Sequence, residues 1–143
     1  MNIMASITRR AARECAVKAL YSFEFNKDAD PVLWFATVCN EGEIPTNDFA
    51  ASLFMGVAEN KEAIDAKIAE NAKGWKIERI AKMSLSIMRL CVYELLFTEV
   101  PKPIAINEAI ELAKAYDTDD APAFINGILN AVAKSLNNKG ENA

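Results

Sequence analysis

The chain has 143 residues, 52% of them apolar, with five glycines, five prolines and no histidine. That is one domain's worth of sequence, apolar enough to build its own core, which excludes disorder over most of the length and argues against a loop-rich β fold. The missing histidine removes every Ser/His/Asp or Cys/His mechanism and most zinc sites, and the net charge of −4 does not by itself point to nucleic acid.

The periodicity predicts an all-α protein. A first helix is expected from about Ile7 to Asn26, with Ser6 or Thr8 as its N-cap. Asp30 caps a short second helix with Pro31 at its first position, ending near Asn40 to Gly42. A third stretch starts at Thr46 or Asn47, carries Phe49, Leu53, Val57, Ile64 and Ile68 at helical spacing, and has a candidate interruption near Asn60. Gly56 inside it suggests a close helix–helix approach. Trp75 to Phe97 reads as the longest and most apolar helix, hence a central one. Pro101 to Pro103 breaks it. Ile104 to Tyr116 forms the fifth helix, Asp117 to Asp120 an acidic turn, and Pro122 to about Leu136 the last helix, followed by a frayed tail over 137–143. The expected architecture is two small subbundles of about three helices each, sharing a core within a single domain spanning 1–143.

No run of apolar residues is long enough to span a membrane, and residues 1–8 lack the charged start and apolar core of a secretory signal. Cys15, Cys39 and Cys91 are odd in number and form no CxxC, so they are expected as small core residues in a reducing cytoplasm. No metal or cofactor is called for.

The charge is unevenly spread. Residues 1–27 hold five cations (Arg9, Arg10, Arg13, Lys18, Lys27) against Glu14 and Glu24, a net +3 that leaves −7 for the remainder. A basic end sits on an acidic body. On a wheel of about 100° per residue, Ala12, Ala16, Ala19 and Phe23 define a core face. Arg10, Arg13 and Lys18 flank an outward stripe that also carries Val17 and Tyr21. Arginines there suit phosphates and base edges, and an outward tyrosine suits an unpaired base or a protein partner. The plain alternative is a solvated helix face with the tyrosine half buried by a neighbour.

Other groups have bland readings. Asp117, Asp119 and Asp120 have no EF-hand spacing and are better explained as a turn capping the next helix. Glu108, Glu111 and Lys114 read as a solvated face rather than an acid/base pair. Trp75 reads as a plug at the bundle end, Asn107 and Asn126 as helix-to-helix hydrogen-bonding residues, and Gly127 as a close-packing site. No phosphate-binding or nucleophile motif occurs.

Several blocks together carry a resemblance. Arg9-Arg10-Ala11-Ala12-Arg13-Glu14 is followed by Ala19-Leu20-Tyr21. Met88-Arg89-Leu90 is followed by Tyr93-Glu94-Leu95. The most specific block runs from Ile104 through Asn107-Glu108-Ala109 to Lys114, followed by Phe124-Ile125-Asn126-Gly127-Ile128-Leu129. In order and spacing over nearly the whole chain, these resemble the NusB family. The resemblance implies two three-helix subbundles and an arginine-rich, RNA-binding N-terminus. It further implies a partner, the small-subunit ribosomal protein called NusE, and joint recognition of the single-stranded boxA element. Other Nus factors and RNA polymerase complete that assembly.

By position, the resemblance assigns Arg9, Arg10, Arg13, Lys18, Asp120 and Phe124 to RNA, and Tyr21, Val17 and Ser84 to the partner. Relatives often have a longer arginine cluster where this chain has Ile7 and Thr8, and an acid where it has Ser84. The expected mechanism is binding without turnover, the basic partner offsetting the acidic body. Rival readings are a protein-only helical adaptor, a carboxylate-based hydrolase, and a domain cut from an RNA methyltransferase. A free homodimer that masks the arginine face is a further reading, open to sedimentation.

Overall fold

The computed structural model describes residues 7–141, with side chains as far as Leu136; Ser6 and the last two tail residues lie outside the described part. Every described element is helical. In order they are α1 (Arg9–Phe23), α2 (Pro31–Glu41), α3 (Asp48–Glu59), α4 (Lys61–Asn71), a 3-10 turn (Ile77–Arg79), α5 (Lys82–Phe97), α6 (Lys102–Tyr116) and α7 (Ala121–Glu141). The helices fall into two compact units, α1 to α3 and α4 to α7, divided at Asn60. The second therefore holds four helices rather than about three.

Side-chain caps set the starts in the first unit. Thr8 accepts from the Ala11 amide at 3.0 Å, Asp30 from Val32 at 2.9 Å, and Asn47 from Ala50 at 2.9 Å. Ala12, Ala16 and Ala19 are fully buried on α1, which contacts both α2 and α3. Small side chains permit that close approach. Phe54 fills the middle of the unit, edge-on to Phe23 at 5.6 Å and tilted against Phe35 at 5.1 Å. Cys15 and Cys39 meet across α1 and α2 with sulfurs 3.5 Å apart. Burial and the neighbouring Cys15 push the Cys39 thiol up from 9.0 to about 12, so it stays protonated at neutral pH.

The second unit is built round α5, which contacts α4, α6 and α7 and buries Leu85, Ile87, Met88, Leu90 and Val92. Each such side chain is worth about 1.5–3 kcal/mol on burial. Arg89 lies in the same helix, its side chain buried, and forks onto Asp65 of α4 with Nε–Oδ1 at 2.8 Å and Nη2–Oδ2 at 2.9 Å.

The expected helix from Trp75 to Phe97 is broken. Lys76 and Ile80 are extended, and only the three residues between them turn. Ile77 and Ile80 are three apart, a spacing that fits one turn of 3-10 helix as well as an α-helix. The longest helix is instead α7, at 21 residues, which continues past Leu136. α6 starts two residues earlier than expected because Pro103, in its first turn, lacks only an amide that would be unpaired there anyway. Gly127 is exposed, and a Cβ there would meet nothing within 4 Å, so it is not a close-packing site.

Candidate nucleic-acid interface

In the first unit, α1 presents Arg9, Arg10, Lys18 and Tyr21 to solvent. Arg13 and Val17 correct the helical wheel: Arg13 is 6% exposed and Val17 1%. Two neighbours, α2 and α3, cover a wider sector of α1 than a single core stripe would. Arg13 still keeps company with the basic face, because the first turn of α3 brings Phe49 beneath it. The Arg9 guanidinium sits 4.0 Å from the Phe49 ring centroid and that of Arg13 5.8 Å. Both distances are in cation–π range, so one ring gathers two arginines.

Tyr21 is 37% exposed and meets the exposed Phe25 ring edge-on at 5.3 Å. Val32 and Leu33, in the first turn of α2, are also exposed. Sequence reasoning missed these three. Only Leu33 had a signal, lying about 140° round α2 from the buried face of Phe35 and Cys39; Val32 shares that face by spacing, and Phe25 lies beyond the end of α1.

In the second unit, Ser84 is 5% exposed, and its hydroxyl donates to Asp117 Oδ2 at 2.6 Å. It acts first as a tie between α5 and the turn after α6, not as an open contact surface. The other Asp117 oxygen accepts from the Thr118 amide at 2.8 Å. Among the described residues, no three Cys, Asp or Glu side chains are gathered as a metal site.

Phe124, in the first turn of α7, is half buried and meets Trp75 edge to face, with centroids 5.3 Å apart and planes at 71°. Trp75 is 53% exposed, so it is no bundle-end plug. It follows Gly74, whose φ of +83° makes the left-handed turn out of α4 that most side chains would strain. A hollow of about 430 Å³ on one side of the pair is lined by Trp75, Phe124, Arg79, Ile80, Ser84 and Asp120, among others. A second, of about 540 Å³, is lined by the same two rings with Asn71, Lys73, Gly127 and Ile128. Asp120 and Phe124, which the resemblance assigns to RNA, thus line one hollow with Trp75 and Arg79, while Lys73 lines the other.

A third hollow, of about 640 Å³ between α6 and α7, has Asn107 and Asn126 on its walls. Both are exposed. Asn126 accepts from Asn130 Nδ2 at 2.8 Å, one turn on in its own helix, so its bond is local rather than across helices. Lys114 pairs with Glu111 at 3.3 Å on the solvated side of α6. No described helix is long and apolar enough to cross a membrane.

The sequence profile of the NusB family matches residues 10–134. The transcription antitermination protein NusB of Bacillus cereus strain B4264 is 43% identical over 129 residues, covering 90% of this chain and 98% of the relative. The same protein of Bacillus anthracis strain CDC 684 matches with the same identity and coverage. Among solved structures, T. maritima NusB superposes with a TM-score of 0.79 at 33% identity, covering 90% of this chain and 92% of the other. A chain from a crystal structure of antitermination factors NusB and NusE in complex with dsRNA gives a TM-score of 0.77 at 28% identity, covering 89% and 96%.

Proposed function

This chain belongs to the NusB family, and on that premise we propose that it is a transcription antitermination factor that binds RNA together with the ribosomal protein NusE. It acts by binding, without turnover, in the cytoplasm, as one component of an assembly with other Nus factors and RNA polymerase. The observation that carries the reading is the basic face of α1. In a chain of net charge −4, Arg9, Arg10 and Lys18 are exposed on one helix, and Phe49 holds Arg9 and Arg13 side by side. Such a face gives a salt-dependent attraction for phosphates. The preferred RNA is the single-stranded boxA element. The exposed Tyr21–Phe25 pair, and the exposed Val32 and Leu33 of α2 in the same unit, are apolar and aromatic, the composition of a protein contact. We assign them to NusE.

The test is binding of a labelled boxA-type RNA and a scrambled control, at several salt concentrations, with and without the ribosomal protein. The expected result is a preference for boxA that the partner tightens. Arg10→Ala should weaken binding about tenfold, the value of a charge-assisted contact. It should also flatten the salt dependence by about 0.7 for each phosphate that Arg10 neutralises. Equal, weak binding of both RNAs, unmoved by the partner and by Arg10→Ala, would leave a protein-only adaptor as the better account.

A further inference from the structure

We propose that the hollow between α6 and α7 docks an extended peptide segment of a partner protein, held through its main chain by Asn126 and Asn130 and through an acidic side chain by Lys102. The hollow, of about 640 Å³, lies wholly within the second unit and takes its walls from both helices. The proposed function does not draw on these residues.

The asparagines select the ligand. Asn130 Nδ2 donates to the main-chain carbonyl of Asn126 at 2.9 Å and to Asn126 Oδ1 at 2.8 Å. The first bond fixes which end of the Asn130 amide is the nitrogen, and the second then fixes the Asn126 amide. Both N–H groups of Asn130 are thereby used. What remains is a donor, Asn126 Nδ2, and an acceptor, Asn130 Oδ1, neither with a partner among the described residues. Asn107 brings a further such amide from the facing helix. A peptide main chain offers one N–H and one C=O per residue, the complement of that pair. Asn126 and Asn130 are one turn apart, about 6 Å along α7. An extended strand repeats every two residues, over about 6.6 Å, so peptide groups on one edge of it fall nearly in step with the two asparagines.

The other walls agree. Alternate side chains of an extended segment point to one face, and Ile106 and Ile110 give that face an apolar bed. Lys102 and Ile110 are about 12 Å apart along α6, room for about four residues of extended chain. The short link between α6 and α7 makes them antiparallel neighbours, so Lys102 lies at the end of the hollow away from Pro122. Among the described residues that line the hollow, Lys102 alone is charged and none is aromatic. One cation complements one acidic residue at that end of the segment. RNA would need several cations or a stacking plane.

The experiment uses the full chain labelled with nitrogen-15 and follows the side-chain amide signals of Asn107, Asn126 and Asn130, each assigned by its Asn→Ala variant. The probes are the capped peptide Glu-Ser-Leu-Ser-Leu-Ser, its reversed sequence, each of these N-methylated at alternate residues, and an oligouridine. The expected result is a saturable shift of the Asn126 and Asn130 signals with one of the two unmodified peptides. N-methylation should abolish it, because side chains and charge are kept while the main-chain donors are lost. Asn126→Ala, at an exposed position, should weaken binding about fivefold, the loss of one neutral hydrogen bond. Lys102→Gln should weaken the glutamate peptide and leave its glutamine counterpart unchanged. The grip is on the main chain, so unmoved signals with both unmodified peptides would overturn the site. Equal binding of the N-methylated peptides would overturn it too, as would a shift with the oligouridine alone, which would make the hollow an RNA surface. None of these outcomes depends on whether α1 binds RNA.

Discussion

Phe49 and Trp75 are both aromatic side chains with cations close by, but the two units use them in opposite ways. In the first unit the Phe49 ring lies beneath Arg9 and Arg13, so the protein's own cations occupy it. In the second, Trp75 and Phe124 touch edge to face, and the cations Arg79 and Lys73 line the hollows beside them instead. A ring face that carries a guanidinium group holds charge in place. The first unit therefore gathers charge, which any phosphate backbone feels, and the second leaves an aromatic pair exposed beside separate cations. The units also lock their helices differently. Two thiols in contact join α1 to α2, whereas a forked ion pair joins α4 to α5.

The largest effect should come from that ion pair. Arg89→Ala leaves a carboxylate of α4 without its forked partner, and should cost about 3–5 kcal/mol in urea denaturation. The double change Arg89→Met with Asp65→Leu should recover most of that stability, because it removes both charges and restores apolar volume. A cost below about 1 kcal/mol for Arg89→Ala would put the pair among ordinary surface salt bridges. The contrast between the two locks would then disappear.

What could be read from the sequence follows the range of the forces involved. Thr8, Asp30 and Asn47 cap their helices as local chemistry demands, and the break at Asn60 was visible in the same way. The 75–81 segment was not, because Ile77 and Ile80 satisfy two helix types equally. The wheel of α1 placed its fully buried alanines and exposed Tyr21 correctly. It misplaced Arg13 and Val17, since a wheel carries no information on how many neighbours a helix has. Phe49 under Arg9 is a contact between residues far apart in sequence, and no local pattern encodes it. Trp75 had a faint signal in its basic and glycine neighbours, Lys73, Gly74 and Lys76, which mark a surface turn rather than a plug.

Phe49→Leu tests whether the covered ring prepares the arginines or competes for them. Leucine keeps an apolar side chain there and removes the ring face. A cation–π contact at an exposed site is worth about 0.5–1 kcal/mol, so RNA binding should weaken about two- to fivefold if the ring holds the arginines ready. The number of phosphates neutralised is unchanged, so the salt dependence should keep its slope. Tighter binding in Phe49→Leu would reverse the picture, with the ring withholding the arginines from RNA.

The smallest effect concerns the sulfur contact in the first unit and depends on pH. Cys39 is raised to about 12 in the folded chain from an ordinary 9.0. Below about pH 9 both folded and unfolded chains keep the proton, and stability does not depend on this group. As pH rises from 9.0 towards about 12, the unfolded chain releases the proton and the folded chain does not, so stability falls through that window. Lysines and tyrosines titrate there as well, which makes the comparison with Cys39→Ala the informative one. With reductant present, the wild type should drop further in melting temperature between about pH 8 and pH 10.5 than Cys39→Ala does. Parallel drops in the two proteins would mean that the thiol is solvated in the folded state and that its meeting with Cys15 is not a buried lock.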